Sequence, residues 1–213
     1  MNFDTFLHSV SKIENIELPG ESSHLKMSPP YRLELMQRNK ELMKKAKKAG
    51  VLALFYPNIE HQTQLALILR KTYKGVHSAQ IGFPGGKIEK GDLDIKFTAL
   101  RETQEEIGVP KHEIKVLKAL TELYIPPSNF TVYPFFGVSP KTPRFIKQED
   151  EVDDVIEVSL SNFIDDGNMI MTVVPTSYRL DVEVPAFQLN GHIVWGATAM
   201  MLIELKDLLK QVL

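Results

Sequence analysis

Glu102, Glu105 and Glu106 stand at i, i+3 and i+4 in one short run of the chain. On an α-helix that spacing turns their carboxylates toward one face. Like charges so placed destabilise an isolated helix by roughly a few tenths of a kcal/mol per pair. A hard divalent cation held through oxygen ligands offsets that repulsion, so the run points to a metal site. Arg101 directly precedes the first glutamate, and Gly85-Gly86 lie a short way upstream. Any two of these glutamates alone would read as a solvated helix face. The third, together with the arginine and the glycine pair, carries the reading.

The elements that must position these residues are punctuated locally. Asp92 can cap a helix by accepting from its free backbone N–H groups. Ile95, Thr98, Ala99 and Leu100 give that helix a narrow inward stripe, Gly108 can end it, and Pro110 prevents its continuation. Leu65–Leu69 and Ile81–Phe83 read as short strands, and Gly85-Gly86 as a tight turn. The predicted order is strand, glycine turn, loop, acidic helix.

These residues resemble the Nudix box, whose pattern is Gly, five residues, Glu, seven residues, Arg-Glu, an apolar residue, any residue, Glu-Glu, any residue, Gly. The chain supplies Gly86, Asp92, Arg101-Glu102, Glu105-Glu106 and Gly108. It departs by having Asp92 for the first Glu, one extra residue before Arg101, and Thr103 at the apolar position. Phe83-Pro84-Gly85-Gly86, Asp92, Thr98-Ala99-Leu100-Arg101-Glu102 and Glu105-Glu106 are similar to the coenzyme A diphosphatase branch, with Glu89 where that branch has Asp. Arg70 with His77-Ser78-Ala79-Gln80-Ile81 resembles that branch's lead-in, although Ala79 and Gly75 replace its usual Gly and Arg. Asp150-Glu151-Val152 resembles its late acidic strand, and Val194 to Ala199 its closing Trp-Gly-x-Thr-Ala. The resemblance covers about residues 49–205.

The resemblance implies an α/β fold, a Nudix-type αβα sandwich with a mixed β-sheet, carrying a helical N-terminal extension over residues 1–48 before a Nudix domain over 49–213. It implies a Mg²⁺- or Mn²⁺-dependent hydrolase of CoA or its thioesters, releasing 3′,5′-ADP and 4′-phosphopantetheine. Other nucleoside diphosphate derivatives (ADP-ribose, NADH, an oxidised dNTP) and a non-catalytic nucleotide sensor are the competing readings. Glu102 and Glu106 are assigned as metal ligands, with Glu105 as a third or bridging ligand and the carbonyl of Gly85 or Gly86 completing the shell. Arg101 is assigned to hold the glutamates, because its rigid fork matches carboxylates. Glu151 is either a late ligand or general base, or an acid on a loop rim. Arg70 and Lys74 are candidates for neutralising substrate phosphates. His77 is either a substrate contact or a hydrogen-bonded turn residue.

The rest of the chain bounds these readings. It has 213 residues, a net charge of −2 and no cysteine. It therefore has no disulfide or thiolate chemistry and no general field for nucleic acid or anionic membranes. No apolar run approaches a membrane span, and the first residues lack the features of a signal peptide, so a cytoplasmic location is expected. The expected partner is a small CoA-like nucleotide, and homodimerisation is compatible with the sequence. Phe3, Phe6, Leu7, Val10 and Ile13 predict a first helix closing near Leu18-Pro19-Gly20, and Tyr31–Lys48 a second helical run whose lysines face solvent. Strands follow at Val51–Tyr56, Tyr124-Ile125, Thr131–Val138, Val152–Val158 and Met169–Val174. Asn190-Gly191 joins a hairpin. Thr198–Leu213 predicts a last helix with Met201, Leu205, Leu208, Leu209 and Val212 on its core side.

Overall fold

The computed structural model describes residues 1–71, 80–175 and 181–213. Short helices come first: α1 (Phe3–Val10), α2 (Glu21–Lys26), α3 (Arg32–Arg38) and α4 (Lys40–Met43). Strands β1 (Lys47–Pro57), β2 (Thr63–Arg70), β3 (Ile81–Gly82) and β4 (Gly85–Lys87) lead into helix α5 (Ile95–Ile107). Then come β5 (Lys115–Ala119), β6 (Leu123–Ile125), β7 (Phe130–Val138), β8 (Val152–Ser159), α6 (Leu160–Ile164), β9 (Met169–Val174), β10 (Val182–Leu189), β11 (His192–Trp195) and α7 (Gly196–Leu209).

Among the described residues, eight strands form one mixed sheet with the path β3-β2-β1-β7-β5; β4, β6 and β8 branch from β1, β7 and β2. β1 and β7 pair in parallel, Lys47 opposite Phe130 through Phe55 opposite Val138. The other pairings are antiparallel. β9, β10 and β11 make a second, smaller sheet. One core cluster lies on one face of β1, around Phe55, Phe136 and Leu67. A second, around Leu52, Leu54, Ala99 and Ile107, lies on the other face, under α5. Helices above and below a mixed sheet give the layered α/β architecture expected.

Several elements differ from the expectations, each for a physical reason. The helical run Tyr31–Lys48 is broken into α3 and α4, and Lys47-Lys48 already belong to β1. The parallel partner β7 recruits them, beginning with the Lys47 N–H donating to the Asn129 carbonyl at 3.0 Å. The first helix stops at Val10, followed by a 3₁₀ turn at Ile13–Asn15. Gly85-Gly86 is not a turn but β4, paired antiparallel to β1 with Gly50 opposite Gly86. α5 is capped by Asp94, whose Oδ1 accepts from the Phe97 N–H at 2.6 Å, rather than by Asp92. Gly108 ends α5 in the left-handed conformation at φ 77°, and Asn190-Gly191 (φ 50° and 81°) turn the β10–β11 hairpin as expected.

The N-terminal helices join the same core as the sheet. Phe6 packs on Phe55 at 5.1 Å between ring centroids, and Phe55 on Phe136 at 5.3 Å. α7 is buried around its whole circumference instead of along one stripe, because α2, β6, β10 and β11 all pack on it. Its polar residues are therefore matched internally. Glu204, with no exposed surface, accepts from the Thr121 hydroxyl at 2.5 Å and lies 3.1 Å from His24 Nε2 on α2. Asp207 accepts from Ser23 and from Lys26. The Lys206 ammonium reaches the Asp165 carbonyl at 2.9 Å.

Burial alone pushes the Glu204 carboxyl upward, but the hydrogen bonds from His24 and Thr121 outweigh it and hold it below its ordinary 4.5. A carboxyl whose folded pKa is depressed stabilises the fold above its unfolded pKa and loses that contribution as pH falls through the folded value. Glu204→Gln should therefore cost about 1–3 kcal/mol at neutral pH. It should also flatten the fall in melting temperature below about pH 4.5. A variant whose acid profile parallels that of wild type would remove Glu204 from this account.

Candidate active site

Arg101 on α5 is the hub of the acidic face. Its Nε and Nη2 donate to the two oxygens of Asp92 at 2.8 and 3.0 Å. Nη1 lies 2.8 Å from Glu105 Oε2 and 2.9 Å from Glu102 Oε1. Nη2 also reaches the Lys87 carbonyl of β4 at 3.2 Å. The Asp92 side chain is 1% exposed, and it also accepts from the Thr98 hydroxyl at 2.8 Å and the Glu89 N–H at 2.9 Å. The bidentate Arg101 contact holds its carboxyl well below the usual range. Asp92 was therefore drawn away from the helix end by the arginine two turns along. Thr103, at the position usually apolar, is buried with its hydroxyl donating to the Ala99 carbonyl at 2.7 Å, which makes it acceptable there.

Glu106 occupies the inner side of the same helix and is buried. Its Oε1 accepts from Arg70 Nη1 at 3.0 Å and its Oε2 from the Gly85 N–H at 2.7 Å. Arg70 Nη2 donates in turn to the Gly85 carbonyl at 2.9 Å. β2, β4 and α5 are thus tied together at one point. Burial pushes the Glu106 carboxyl up to about 7 despite Arg70 and Gly85, and the charges of Glu102 and Glu151 add to the rise. Glu102 is raised as well, first by burial and further by Glu105 and Glu151. Glu151 is exposed, at the start of the strand segment that follows the 139–151 loop, close enough to act electrostatically on both. Glu105 is half exposed on the outer side.

The glycines set how closely these parts approach. A Cβ on Gly86 would fall 2.4 Å from the Glu102 carboxyl carbon, whereas one on Gly50 would fall 2.3 Å from the backbone oxygen of Ile95. The first obstacle is the end of a side chain and the second is helix backbone. Gly50→Ala should therefore destabilise by roughly 3 kcal/mol or more through overpacking. Gly86→Ala should stay folded but displace the Glu102 carboxylate, lowering turnover by up to about 100-fold, as a misplacement near 1 Å can. Equal melting losses for the two variants would refute this contrast.

Sequence reasoning named Gly85, Gly86, Arg101, Glu102, Glu105, Glu106, Arg70 and Glu151, and the fold gathers these around the β4–α5 junction. Lys74 and His77 lie outside the described residues. Among the described residues, no three acidic or histidine side chains converge as a ready group for a metal, because Arg101 and Arg70 hold the glutamates. The donor set nevertheless suits a hard cation. The charges of Glu102 and Glu151 act on buried Glu106, and those of Glu105 and Glu151 on part-buried Glu102, and the Gly85 and Gly86 backbone runs directly beside them.

A pocket of about 330 Å³ opens beside this junction. Arg70 of β2 and Gly85, Gly86 and Lys87 of β4 line it where they adjoin the acidic helix, and Phe83, Met200 and Met201 are part of its apolar lining. Tyr31, Arg32 and Leu35 of the N-terminal helices close another side. That wall was missed from the sequence, since nothing local in α3 distinguishes a pocket wall from a solvated helix.

The fold and this junction together define the class. The chain matches the NUDIX domain model over residues 46–171 and belongs to the Nudix family of hydrolases, whose members generally use divalent metal ions. It is 34% identical over 128 residues to the mitochondrial coenzyme A diphosphatase NUDT8 of Homo sapiens, covering 60% of this chain and 54% of that protein. The chain thus spans little more than half the length of that relative. It is 33% identical over 161 residues to the uncharacterized Nudix hydrolase NudL of Pectobacterium atrosepticum, covering 72% of this chain and 79% of that one. A MutT/nudix family protein from Enterococcus faecalis, 18% identical, shares the fold at a TM-score of 0.50 over 78% of this chain and 62% of that one. Among the described residues no helix is long and apolar enough to cross a membrane.

Proposed function

We propose that the chain hydrolyses the diphosphate bond of coenzyme A or CoA thioesters, giving 3′,5′-ADP and the (acyl-)4′-phosphopantetheine, with Mg²⁺ or Mn²⁺. The observation that carries this reading is a largely apolar pocket lined by Gly85 and Gly86, the glycines that lie against Glu106 and Glu102 of the arginine-clamped acidic helix. The β4 end has the groups for a charged diphosphate, and the apolar wall has room for an uncharged arm. The similarity to a coenzyme A diphosphatase supports the choice of substrate.

Glu102 and Glu106 are the residues that would hold the ion, with Glu105 third and a Gly85 or Gly86 carbonyl beside them. When bound, such an ion supplies a water of lowered pKa and charge neutralisation at phosphorus. Arg101 fixes Glu102 and Glu105 in place. Arg70, half-buried beside Glu106, faces the pocket, where its guanidinium can balance the charge of a phosphate oxygen. Glu151, exposed and close enough to act electrostatically on Glu102 and Glu106, is the group assigned to take the proton from the attacking water.

The test is a hydrolysis screen of CoA, acetyl-CoA, ADP-ribose, NADH and dNTPs with Mg²⁺ or Mn²⁺, the products separated by chromatography. Release of 4′-phosphopantetheine from CoA well ahead of turnover on the others is expected. Preference for ADP-ribose, NADH or a dNTP would keep the acidic helix and overturn the CoA reading. Nucleotide binding without any turnover would overturn the enzymatic reading itself.

A further inference from the structure

Among the described residues Arg32 forms no ion pair, and Glu21 acts on it electrostatically without one. Arg32 is half-buried on α3, and its guanidinium donates to the Tyr124 carbonyl at 3.2 Å. An arginine carries five N–H donors in a planar fork. Leaving most of them unused inside a pocket is unfavourable unless something from solvent answers them. The pocket Arg32 lines is the one that reaches Arg70, Gly85 and Gly86. Much of the remaining lining is apolar, with Val51, Ile81, Phe83, Phe130 and Val132 among it.

The charged groups of this pocket therefore come from two places, Arg70 and Lys87 on β2 and β4, and Arg32 on α3. A substrate matching both needs a second anion separated from its diphosphate by less polar groups. CoA has such a group, the phosphomonoester at the 3′ position of its ribose, and dephospho-CoA differs by lacking only that group. Building on the CoA reading above, we propose that Arg32 binds the 3′-phosphate of CoA, making the N-terminal helical segment a specificity element of the active site. A phosphomonoester matches the open fork bidentately, which a lone carbonyl or hydroxyl does not.

The experiment pairs kinetics with binding. Wild type should use CoA with a kcat/KM about 10- to 100-fold above that for dephospho-CoA, as expected when a buried donor loses its acceptor. Arg32→Met should bring that ratio close to one, and Arg32→Lys should leave it intermediate, because an ammonium keeps the charge but not the fork. By calorimetry, wild type should bind 3′,5′-ADP more tightly than 5′-AMP, and Arg32→Met should remove that difference while still binding 5′-AMP, which controls for folding. An unchanged CoA to dephospho-CoA ratio in Arg32→Met overturns the assignment. So does equal wild-type affinity for 3′,5′-ADP and 5′-AMP. If wild type hydrolyses neither CoA nor dephospho-CoA, the CoA reading fails. A preference for 3′,5′-ADP that Arg32→Met abolishes would then still place a phosphomonoester on Arg32.

Discussion

Glu106→Gln should lower kcat/KM for diphosphate hydrolysis by about 10²- to 10³-fold, the usual range for removing one charged group that acts on the transition state. The change keeps the side chain's shape and removes its charge. Glu106 accepts from Arg70 on one oxygen and from Gly85 on the other. Glutamine can accept on only one side, so one contact becomes donor against donor, at about 1–3 kcal/mol. Removing a charge that burial disfavours offsets part of this. The variant should therefore fold, with a native circular dichroism spectrum and a modestly lowered melting temperature. A second readout does not depend on turnover. Mg²⁺ should raise the melting temperature of wild type by preferential binding to the folded chain, and should raise that of the variant much less. Near-wild-type activity, or an undiminished Mg²⁺ shift, would show that Glu106 is not a ligand.

The second large effect concerns Arg101. Arg101→Met leaves Asp92, 1% exposed, without two of its four hydrogen bonds and without its counterion. Breaking a buried pair from one side costs about 3–5 kcal/mol, and the donors that remain, Thr98 and Glu89, place this case near the lower end. Turnover should be lost as well, since Glu102 and Glu105 lose the guanidinium that aligns them. Adding Asp92→Asn should recover most of the stability by removing the stranded charge, but not the activity. A double variant no more stable than Arg101→Met would mean that the Asp92 pair is not what supports the loop. Recovered turnover would mean that Arg101 does not position the glutamates.

The contrast between these residues shows how much was readable in the chain. Glu102, Glu105 and Glu106 announce themselves because helical spacing is local, and the stop at Gly108 and the turn at Asn190-Gly191 follow from backbone freedom at single positions. The partners of the glutamates are a different matter. Arg70 and Glu106 are 36 positions apart, and nothing in either neighbourhood says that the end of β2 will meet α5. Asp92 differs from its expected role for the same reason: its capping chemistry is local, but Arg101 offers two charge-assisted bonds from across the loop, leaving the cap to Asp94. Gly85-Gly86 reads as a turn because glycine pairs usually are turns. Its true role is a strand needing close approach to Gly50 and Val51. The burial of Glu204 beside His24 was hidden altogether, since a polar residue within an apolar helix normally marks its outer face.

The union of α2 with α7 also bears on how quickly the protein can become active after synthesis. His24 and Glu204 are 180 positions apart, and Ser23 and Asp207 184. Contacts of such separation form late, because closing a long loop costs entropy before the contact returns any stability. The chain emerges from the ribosome N-terminus first, so α2 must wait, exposed, until residues 196–209 have been made. Until α7 docks, the pocket lacks Met200 and Met201, and α2 lacks its Glu204 and Asp207 partners. The acidic helix with β1, β2 and β4 can assemble earlier, from segments within about 60 positions of one another along residues 47–107. Maturation of this chain is therefore ordered in time, with the hydrolytic end built first and the selective end completed only when the last helix arrives.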